Sequence, residues 1–593
     1  KLTELLSGDS ALLRRASIES LGKIGPRAQP AVPKLRELIA HDDAFISVPA
    51  AWALVGIVGQ AENISAEVVP VLMKGLASSS DDVRRTAAAA LAELGGEAAV
   101  SALSQTIRTG NTLAVVAASE SLSMMGTTGK DALPALATRL KSERNLAGRW
   151  NLVRAVGSVG GDDPAAVSAV KSQLKDAESV VRVHALYAAG ALGPNAGSLV
   201  PDIAEALDDP EPAVRRAAAT ALGEIGPGAV SAVDALGRAF GDREGVVTLA
   251  AAEALARIGQ PAVPVLAKQL EDPAFQTLAA HVLAQIGPAA AAAVPELAEL
   301  LESDDEETAM AAYAALGMIG EETRVIGPEL HRILREGASP RRRAGAIYTL
   351  TKLGDETIVP QLSELLSGKT DPILQLAASW SLVTFTPDDA DLVQQALPVL
   401  ASNLNHPRPN VRRELIALLA RLGASAEPAV PSLVDVVRND PVPEVRADAL
   451  AAIGEIGTVP EASIGEVVNS LTATEQSVRF AAAFALGRLQ KAGRAGVPQL
   501  EAMAASHDRQ AQTVAAWALA RIEPTPARIR AAVPLMIAAS ESPRPAVRAE
   551  AAAFLGQFGE GNSQATATLA KLSHDEEETV RDAAKKALAA NKK

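Results

Sequence analysis

One sequence pattern recurs about every 33 residues along the whole chain, which is the spacing of a repeat array. Its clearest copy, Val214 to Pro227, reads VRRAAATALGEIGP. In a helix, Arg216 and Thr220 point away from a side formed by five small or apolar residues: Val214, Ala218, Ala221, Leu222 and Ile225. Gly226 can adopt the left-handed conformation that ends a helix, and Pro227 cannot continue one. The pattern predicts a short, closely packed helix with a defined end.

The copies can be counted by the residue equivalent to Leu222, which we use as a reference position. About 18 copies are found, with the reference at Leu21, Leu54, Leu91, Leu122, Val156, Ala189, Leu222, Leu255, Leu283, Leu316, Leu350, Leu382, Leu419, Ile453, Leu486, Leu519, Leu555 and Leu588. Repeats contact only their neighbours, so the core extends in one direction. We therefore expect residues 1–593 to form a single array rather than several globular domains.

A second helix precedes each copy. It is marked by an apolar residue and a proline followed by leucine, as in AVPKLRELI from Ala31 and AVPVLAKQL from Ala262. Proline is tolerated in a first turn, where its missing N–H would have no helical partner. Acidic turns such as DDVRR at Asp81 then cap the following helix. With only 3% aromatic residues and abundant alanine, the chain is predicted to be all-α.

The paired helices, the acid before Val-Arg and the ending ALGEIG resemble HEAT repeats, including the form found in bacterial phycobilin-lyase-type HEAT proteins. This resemblance implies an α-α superhelix, a HEAT/armadillo-like solenoid of about 18 two-helix repeats. It also implies that the second helix of each repeat lines the concave side. It says little about function, because one fold serves many roles.

Two places and one end depart from the regular repeat. The step before Leu283 is short, and the glycine stop is missing after Ser381. We therefore expect a change of curvature near residues 270–290 and 383–392. The last repeat carries charged residues where others are apolar, so residues 579–593 are predicted to form a capping helix.

Arginine recurs seven positions before the reference residue. In HEAT arrays such an arginine bonds to turn acids and carbonyls of adjacent repeats, which implies a structural ladder rather than an anion track. We assign eight residues to this ladder: Arg84, Arg182, Arg215, Arg412, Arg446, Arg479, Arg548 and Arg581. The same position holds Arg14, Arg149 and Arg343, whereas Thr248, Gln276 and Ala309 are expected to interrupt the ladder.

Aromatic residues recur two positions before the reference, at Trp52, Tyr187, Tyr348, Trp380, Phe484 and Trp517. Two interpretations stay open: each ring packs between neighbouring second helices, or the rings are contact points for a partner. Adjacent repeats should bring Tyr348 together with Trp380, and Phe480 and Phe484 together with Trp517. These five residues predict a partner-binding groove in the C-terminal half.

A basic run, Arg341, Arg342 and Arg343, is a further candidate, for an anion or an acidic partner. Solvated surface arginines are the alternative interpretation.

Other site classes find little support. The formal net charge of −14 argues against a nucleic-acid partner. The chain has no cysteine, and its seven histidines show neither metal-ligand spacing nor a His-Glu pair, so no metal or cofactor is predicted. The uncharged run Ala44 to Ala61 falls in register as a repeat helix, so no membrane insertion is expected.

The sequence leaves the compartment open. Lack of cysteine is typical of an exported bacterial protein, although a cytosolic protein can show it too. Because residue 1 is lysine, a signal, anchor or catalytic domain could precede it.

The prediction for function is a non-catalytic scaffold that binds another protein on its concave surface. The alternatives are an enzyme-accessory or lyase-like HEAT protein, and the scaffold portion of a larger polypeptide.

Overall fold

The computed structural model describes residues 1–59, 64–337, 339–506 and 508–590. Within these ranges the chain consists of α-helices joined by turns and short 3-10 segments, without any β-strand. It divides into two compact units, unit 1 at Lys1–Ile326 and unit 2 at Gly327–Lys593. We label the α-helices in chain order, and each unit is described by itself.

Unit 1 contains α1 (Leu2–Leu5), α2 (Ala11–Ile24), α3 (Val32–Ile39), α4 (Ala44–Val58), α5 (Ser65–Leu76), α6 (Asp81–Leu94), α7 (Gly96–Thr109), α8 (Thr112–Met125), α9 (Leu133–Ser142), α10 (Leu146–Gly160), α11 (Pro164–Lys171), α12 (Ser179–Ala191), α13 (Val200–Glu205), α14 (Pro212–Ile225), α15 (Val233–Phe240), α16 (Gly245–Ile258), α17 (Val263–Gln269), α18 (Gln276–Ile286), α19 (Val294–Glu299) and α20 (Glu306–Ile319).

Unit 2 contains α21 (Gly327–Glu336), α22 (Pro340–Lys352), α23 (Val359–Ser367), α24 (Pro372–Phe385), α25 (Ala390–Ser402), α26 (Pro409–Leu422), α27 (Val430–Asn439), α28 (Pro443–Ile456), α29 (Ile464–Asn469), α30 (Gln476–Arg488), α31 (Val497–Ala504), α32 (Arg509–Ile522), α33 (Pro526–Ala539), α34 (Pro545–Phe558), α35 (Ser563–Leu572) and α36 (Glu578–Ala590).

The helices alternate between the two kinds that the sequence predicts. Odd-numbered helices are the first helices of the repeats and even-numbered helices are the second, so the predicted two-helix repeat is confirmed. Every reference residue from Leu21 to Leu555 is buried, and Leu222 has no exposed surface. Leu588, in the last helix, is half-buried.

Second helices pack against the second helices of neighbouring repeats, which explains their small residues. One close contact lies between Gly157 of α10 and Ala188 of α12. A Cβ atom added at Gly157 would lie 2.6 Å from the Cα atom of Ala188. In α14 the predicted inward residues are all buried. Ala217 and Ala219 are buried as well, because neighbouring helices cover α14 on more than one side.

Most second helices end at a glycine, as predicted. Gly226 has a φ angle of +69° and follows α14 directly. After α24 there is no such glycine, and the helix ends at Thr386 with a φ angle of −128°. Near residues 270–275 the first helix is followed by a turn, and the Phe275 ring packs against Phe240 with 5.8 Å between ring centroids. The changes of curvature expected at these two places stay predictions.

The last helix and the apolar stretches occupy defined repeat positions. α36 covers most of the predicted cap at 579–593, of which residues 591–593 lie outside the described part. The run Ala44 to Ala61 forms the largely buried α4, and its last two residues also lie outside that part. One helical stretch, Gln276–Glu302, is long and apolar enough to span a membrane by composition. It is interrupted at Gly287, where φ is +65°.

Candidate functional site

The arginine register places its side chains at the joints between repeats. Arg215 in α14 donates from Nε and Nη2 to both carboxylate oxygens of Asp242, at 2.7 and 2.9 Å. Asp242 precedes the next second helix and also accepts a bond from the backbone N–H of Glu244 at 2.9 Å. Arg215 Nη1 donates to the carbonyl oxygen of Asp209 at 3.0 Å. One guanidinium therefore ties the turn of its own repeat to the turn of the next.

The same joint recurs in both units. Five arginines bond to an aspartate in the following repeat: Arg149 to Asp176, Arg182 to Asp209, Arg215 to Asp242, Arg412 to Asp440 and Arg548 to Asp575. The side-chain hydrogen bond from Arg215 lowers the pKa of Asp242, and the equivalent bond from Arg548 lowers the pKa of Asp575. These carboxylates are therefore held in the charged form.

Other arginines at this position bond only within their own repeat, or they bond to a residue other than aspartate in the next repeat. Arg84, Arg479 and Arg581 each donate to two carbonyl oxygens five and six residues before them. Arg446 donates to the carbonyl of Asp440 and forms a 3.1 Å ion pair with Glu475 of the next repeat. Where arginine is replaced by Thr248, the hydroxyl still donates to the carbonyl of Asp242 at 3.1 Å. The hydrogen bond of Thr248 therefore stays within its own repeat.

The aromatic register of unit 2 forms two stacked ring pairs. Tyr348 of α22 stacks on Trp380 of α24, with 5.4 Å between ring centroids. Phe484 of α30 stacks on Trp517 of α32, with 5.2 Å between ring centroids. Each pair joins the second helices of consecutive repeats, and Phe480 lies half-buried one turn before Phe484.

Cations cover both ring pairs, and carboxylates of other repeats neutralise these cations. Lys352 Nζ lies 5.3 Å from the Tyr348 ring centroid and 5.2 Å from that of Trp380. Arg488 and Arg521 lie over Phe484 and Trp517, at 5.8 and 5.3 Å. Their ion pairs are Lys352 with Glu414 at 3.0 Å, Arg488 with Glu455 at 2.5 Å and Arg521 with Glu550 at 3.8 Å.

Burial separates the five predicted contact residues of unit 2 into two groups. Trp380 and Trp517 are only 7% and 3% exposed, so they form the floor of their clusters. Tyr348, Phe480 and Phe484 are half-buried and reach solvent. Burial, followed by the nearby charge of Glu414, raises the pKa of Tyr348 to about 12, so its hydroxyl stays neutral.

Unit 1 holds a third aromatic cluster. A search restricted to one position relative to the reference residue does not find it. Trp150 of α10 stacks on His184 of α12, with 4.6 Å between ring centroids and 18° between ring planes. Tyr187 meets the His184 ring edge-on at 6.4 Å and is 38% exposed. Trp150 and His184 stand six and five positions before their reference residues, whereas Tyr187 stands two before. Searching all outward registers of the helix would have found the group.

Two arginines flank these rings. The Arg154 guanidinium lies over the Trp150 ring, 5.6 Å from its centroid. Arg216 of α14 donates from Nη2 to the Tyr187 hydroxyl at 3.2 Å. Burial, and then the charge of Arg154, lower the pKa of His184. We call these five residues, Trp150, Arg154, His184, Tyr187 and Arg216, the Trp150 cluster.

The cluster lies within a longer apolar surface. In α8, α12, α16 and α20, exposed apolar residues stand nine, six or two positions before the reference or two positions after it, a spacing that places them on one side of these second helices. We call this set the outer face of unit 1: Leu113, Met124, Val180, Tyr187, Val246, Leu249 and Met318. Leu249 is 56% exposed and Met124 is 66% exposed, so these side chains do not contribute to the core.

The basic run at Arg341 to Arg343 begins α22. Arg343 Nε donates to the carbonyl oxygen of Leu334 at 2.9 Å, and the Ser339 hydroxyl caps the helix at the N–H of Arg342. Arg341 is exposed, and Arg342 and Arg343 are half-buried. The candidate patch for an anion or acidic partner therefore stays a prediction, with Arg343 already engaged by its own repeat.

Comparison with known proteins identifies the repeats. The model of HEAT repeats matches residues 69–157, 200–278, 263–326, 393–454 and 497–589, which together exceed half of the chain. The chain belongs to the HEAT-repeat family. No curated protein matches it in sequence. The bacterial and phycobilin-lyase-type forms of the repeat stay predictions.

Solved HEAT-repeat structures also resemble the chain. Importin β, crystallised in an ammonium sulfate condition, aligns over 100% of this chain and 99% of its own, with 14% identity and a TM-score of 0.45. The karyopherin Kap121p bound to Pho4p aligns over 99% of this chain and 78% of its own, with 15% identity and a TM-score of 0.44.

Proposed function

We propose that this HEAT-repeat protein is a non-catalytic scaffold that binds another protein through the outer face of unit 1. The observation that carries this proposal is the recurrence of exposed apolar side chains at one helical face of four second helices, α8, α12, α16 and α20. A contiguous exposed apolar patch is typical of a protein-binding surface, whereas isolated exposed apolar residues need no explanation. The HEAT resemblance implies that second helices line the concave side of the array, which supports a contact surface on that side.

The half-buried rings of unit 2 belong to the same proposal as a second contact area. Tyr348, Phe480 and Phe484 would contact the partner, and Trp380 and Trp517 would hold them in position. Aromatic side chains with cations above them are frequent at the centres of protein interfaces. The cations of unit 2 are already paired within the chain, which favours unit 1 as the main contact area.

The test is affinity capture from the native source with the full chain and two variants. The face variant carries Val180→Ser, Tyr187→Ser and Leu249→Ser. The matched control carries Val230→Ser and Val325→Ser, which remove exposed apolar side chains outside the second helices (47% and 76% exposed). Equal circular dichroism spectra establish that all three proteins are folded.

We expect the unchanged chain and the control to enrich one protein that the face variant does not. Purification of that protein and direct titration would then confirm a binary complex. Equal recovery by the face variant would contradict binding through the outer face of unit 1. A variant with Tyr348→Ala, Phe480→Ala and Phe484→Ala tests unit 2 in the same way and leaves the buried tryptophans in place.

A further inference from the structure

The Trp150 cluster spans three consecutive second helices, with rings on two of them and an arginine on the third. Trp150 and Arg154 lie on α10, His184 and Tyr187 on α12, and Arg216 on α14. Neighbouring packed helices lie about 8 to 10 Å apart, so the surface is about 20 Å wide. An extended peptide of about six residues covers that distance. The ring faces offer apolar contact area, and the arginines mark its two sides.

The charges of this cluster differ from those of unit 2. In unit 2 each cation above a ring has a carboxylate partner on another repeat. Among the described residues, the Arg154 guanidinium has no hydrogen-bond or ion-pair partner, and its Nε atom is shielded from solvent. Arg216 bonds to the Tyr187 hydroxyl and forms no ion pair within the described part of the chain. Glu224, on the same helix as Arg216, is paired with Arg257 at 2.5 Å.

Two arginines without a carboxylate are notable in a chain with a formal net charge of −14. A guanidinium whose N–H groups are partly removed from water gains most from a charged acceptor. The ring surface between the arginines gains from an apolar or aromatic side chain. A nucleic-acid backbone fits poorly, because two cations would have to offset repulsion from a strongly acidic protein.

We propose that the Trp150 cluster binds an acidic segment of a partner protein, in which an aromatic or aliphatic side chain stands beside one or more carboxylates. The carboxylates bond to Arg154 and Arg216, and the apolar side chain packs on the rings of Trp150 and Tyr187. This inference rests on the proposed scaffold function and adds the chemistry of the partner to it.

The test uses the full chain and a phage-displayed library of random dodecapeptides as the probe. Selections are run on the unchanged chain, on Arg154→Gln with Arg216→Gln, and on a matched control, Arg257→Gln. Arg257 is exposed on a neighbouring second helix and is already paired with Glu224. We expect peptides that combine acidic and apolar residues to be enriched on the unchanged chain and on the control, and to be lost on the double variant.

Synthetic copies of the selected peptides then give affinities. Loss of both arginines should weaken binding by about tenfold or more, as should replacement of the peptide's glutamates by glutamine. Arg154→Lys with Arg216→Lys should recover part of the affinity, because the charge returns without the planar fork.

Three outcomes would overturn this inference: no enriched peptides, enriched peptides without acids, or peptides held equally by the double variant. The face variant could lose a native partner that the double arginine variant still binds. That result would support the scaffold function and contradict only the proposal of an acidic segment. If the face variant also kept the partner, the scaffold proposal for the outer face would fail as well.

Discussion

Arg215 and Asp242 lie 27 residues apart in the chain and join two consecutive repeats through two hydrogen bonds, of 2.7 and 2.9 Å. Their side chains are only 8% and 11% exposed. The two residues are therefore far apart in the chain, and their contact is nearly buried. It also explains why Arg215, which a helical pattern alone would leave at the surface, is enclosed at the joint.

Removal of one partner should weaken this joint. In Arg215→Ala the Asp242 carboxylate keeps only its backbone donor, which should lower the local free energy of unfolding by about 2 to 3 kcal/mol. Hydrogen exchange of peptides around residues 206–248 measures the change. Arg257→Ala is the matched control, because the Arg257–Glu224 pair also joins repeats but is half exposed, and its loss should cost less than about 1 kcal/mol. Equal effects of the two substitutions would contradict this view of the joint.

Low pH should weaken the interaction between Arg215 and Asp242. The pKa of Asp242 is lowered in the folded protein from its ordinary value of 3.8, chiefly by the hydrogen bond from Arg215. Stability from this carboxylate is therefore complete above that value and is lost as the pH falls through the lower folded pKa. Thermal unfolding between about pH 5 and about pH 3 should show a smaller decrease in Arg215→Ala than in the unchanged chain. An equal decrease would show that other carboxylates dominate.

His184 should make stability depend on pH in a higher range. Burial and Arg154 lower its pKa below the ordinary 6.5, so the folded state favours the neutral ring. The unfolded chain binds a proton first as the pH decreases, and stability falls below about pH 6.5. His184→Phe keeps a ring against Trp150 without the titration, and its unfolding midpoint should change less between about pH 7.5 and about pH 5.5. The same pH dependence in both proteins would refute a role for His184.

The sequence predicted the fold because one strong pattern determines it. The period around Leu222 and glycines such as Gly226 specify where each second helix lies and ends, and both depend on local geometry. The arginine register was found in the same way, and turn acids were expected as its partners, but the five individual aspartates were not identified. Each of these aspartates stands 13 positions before its reference residue, as Asp242 does before Leu255, so comparison of registers across neighbouring repeats would have found them.

Burial of the rings could not be predicted from their register. Position two before the reference faces outward in one helix, but the next second helix lies close enough to cover a large ring there. Trp517 therefore sits beneath its neighbours, whereas Tyr187 in the same register is 38% exposed. Gly487 leaves room for the Trp517 ring, because a Cβ atom added at Gly487 would clash with the Cζ3 atom of Trp517. That information resides in the contacts between repeats.

The two kinds of ring should respond differently to substitution. Trp517→Ala removes a buried ring and should lower stability by about 3 to 5 kcal/mol. Tyr187→Ala should lower it by less than about 1 kcal/mol, because that ring is largely outside the core. Chemical denaturation followed by circular dichroism compares the two. A large loss for Tyr187→Ala would show that the ring serves packing rather than binding.

Photo-crosslinking from a single position tests the proposed outer face most directly. A benzophenone amino acid is placed at Tyr187 in the full chain and, in a second protein, at Val230, which is similarly exposed but outside the second helices. With the captured partner, we predict a crosslinked product from position 187 and none from position 230. Crosslinking from position 230 with none from position 187 would contradict binding through the outer face of unit 1.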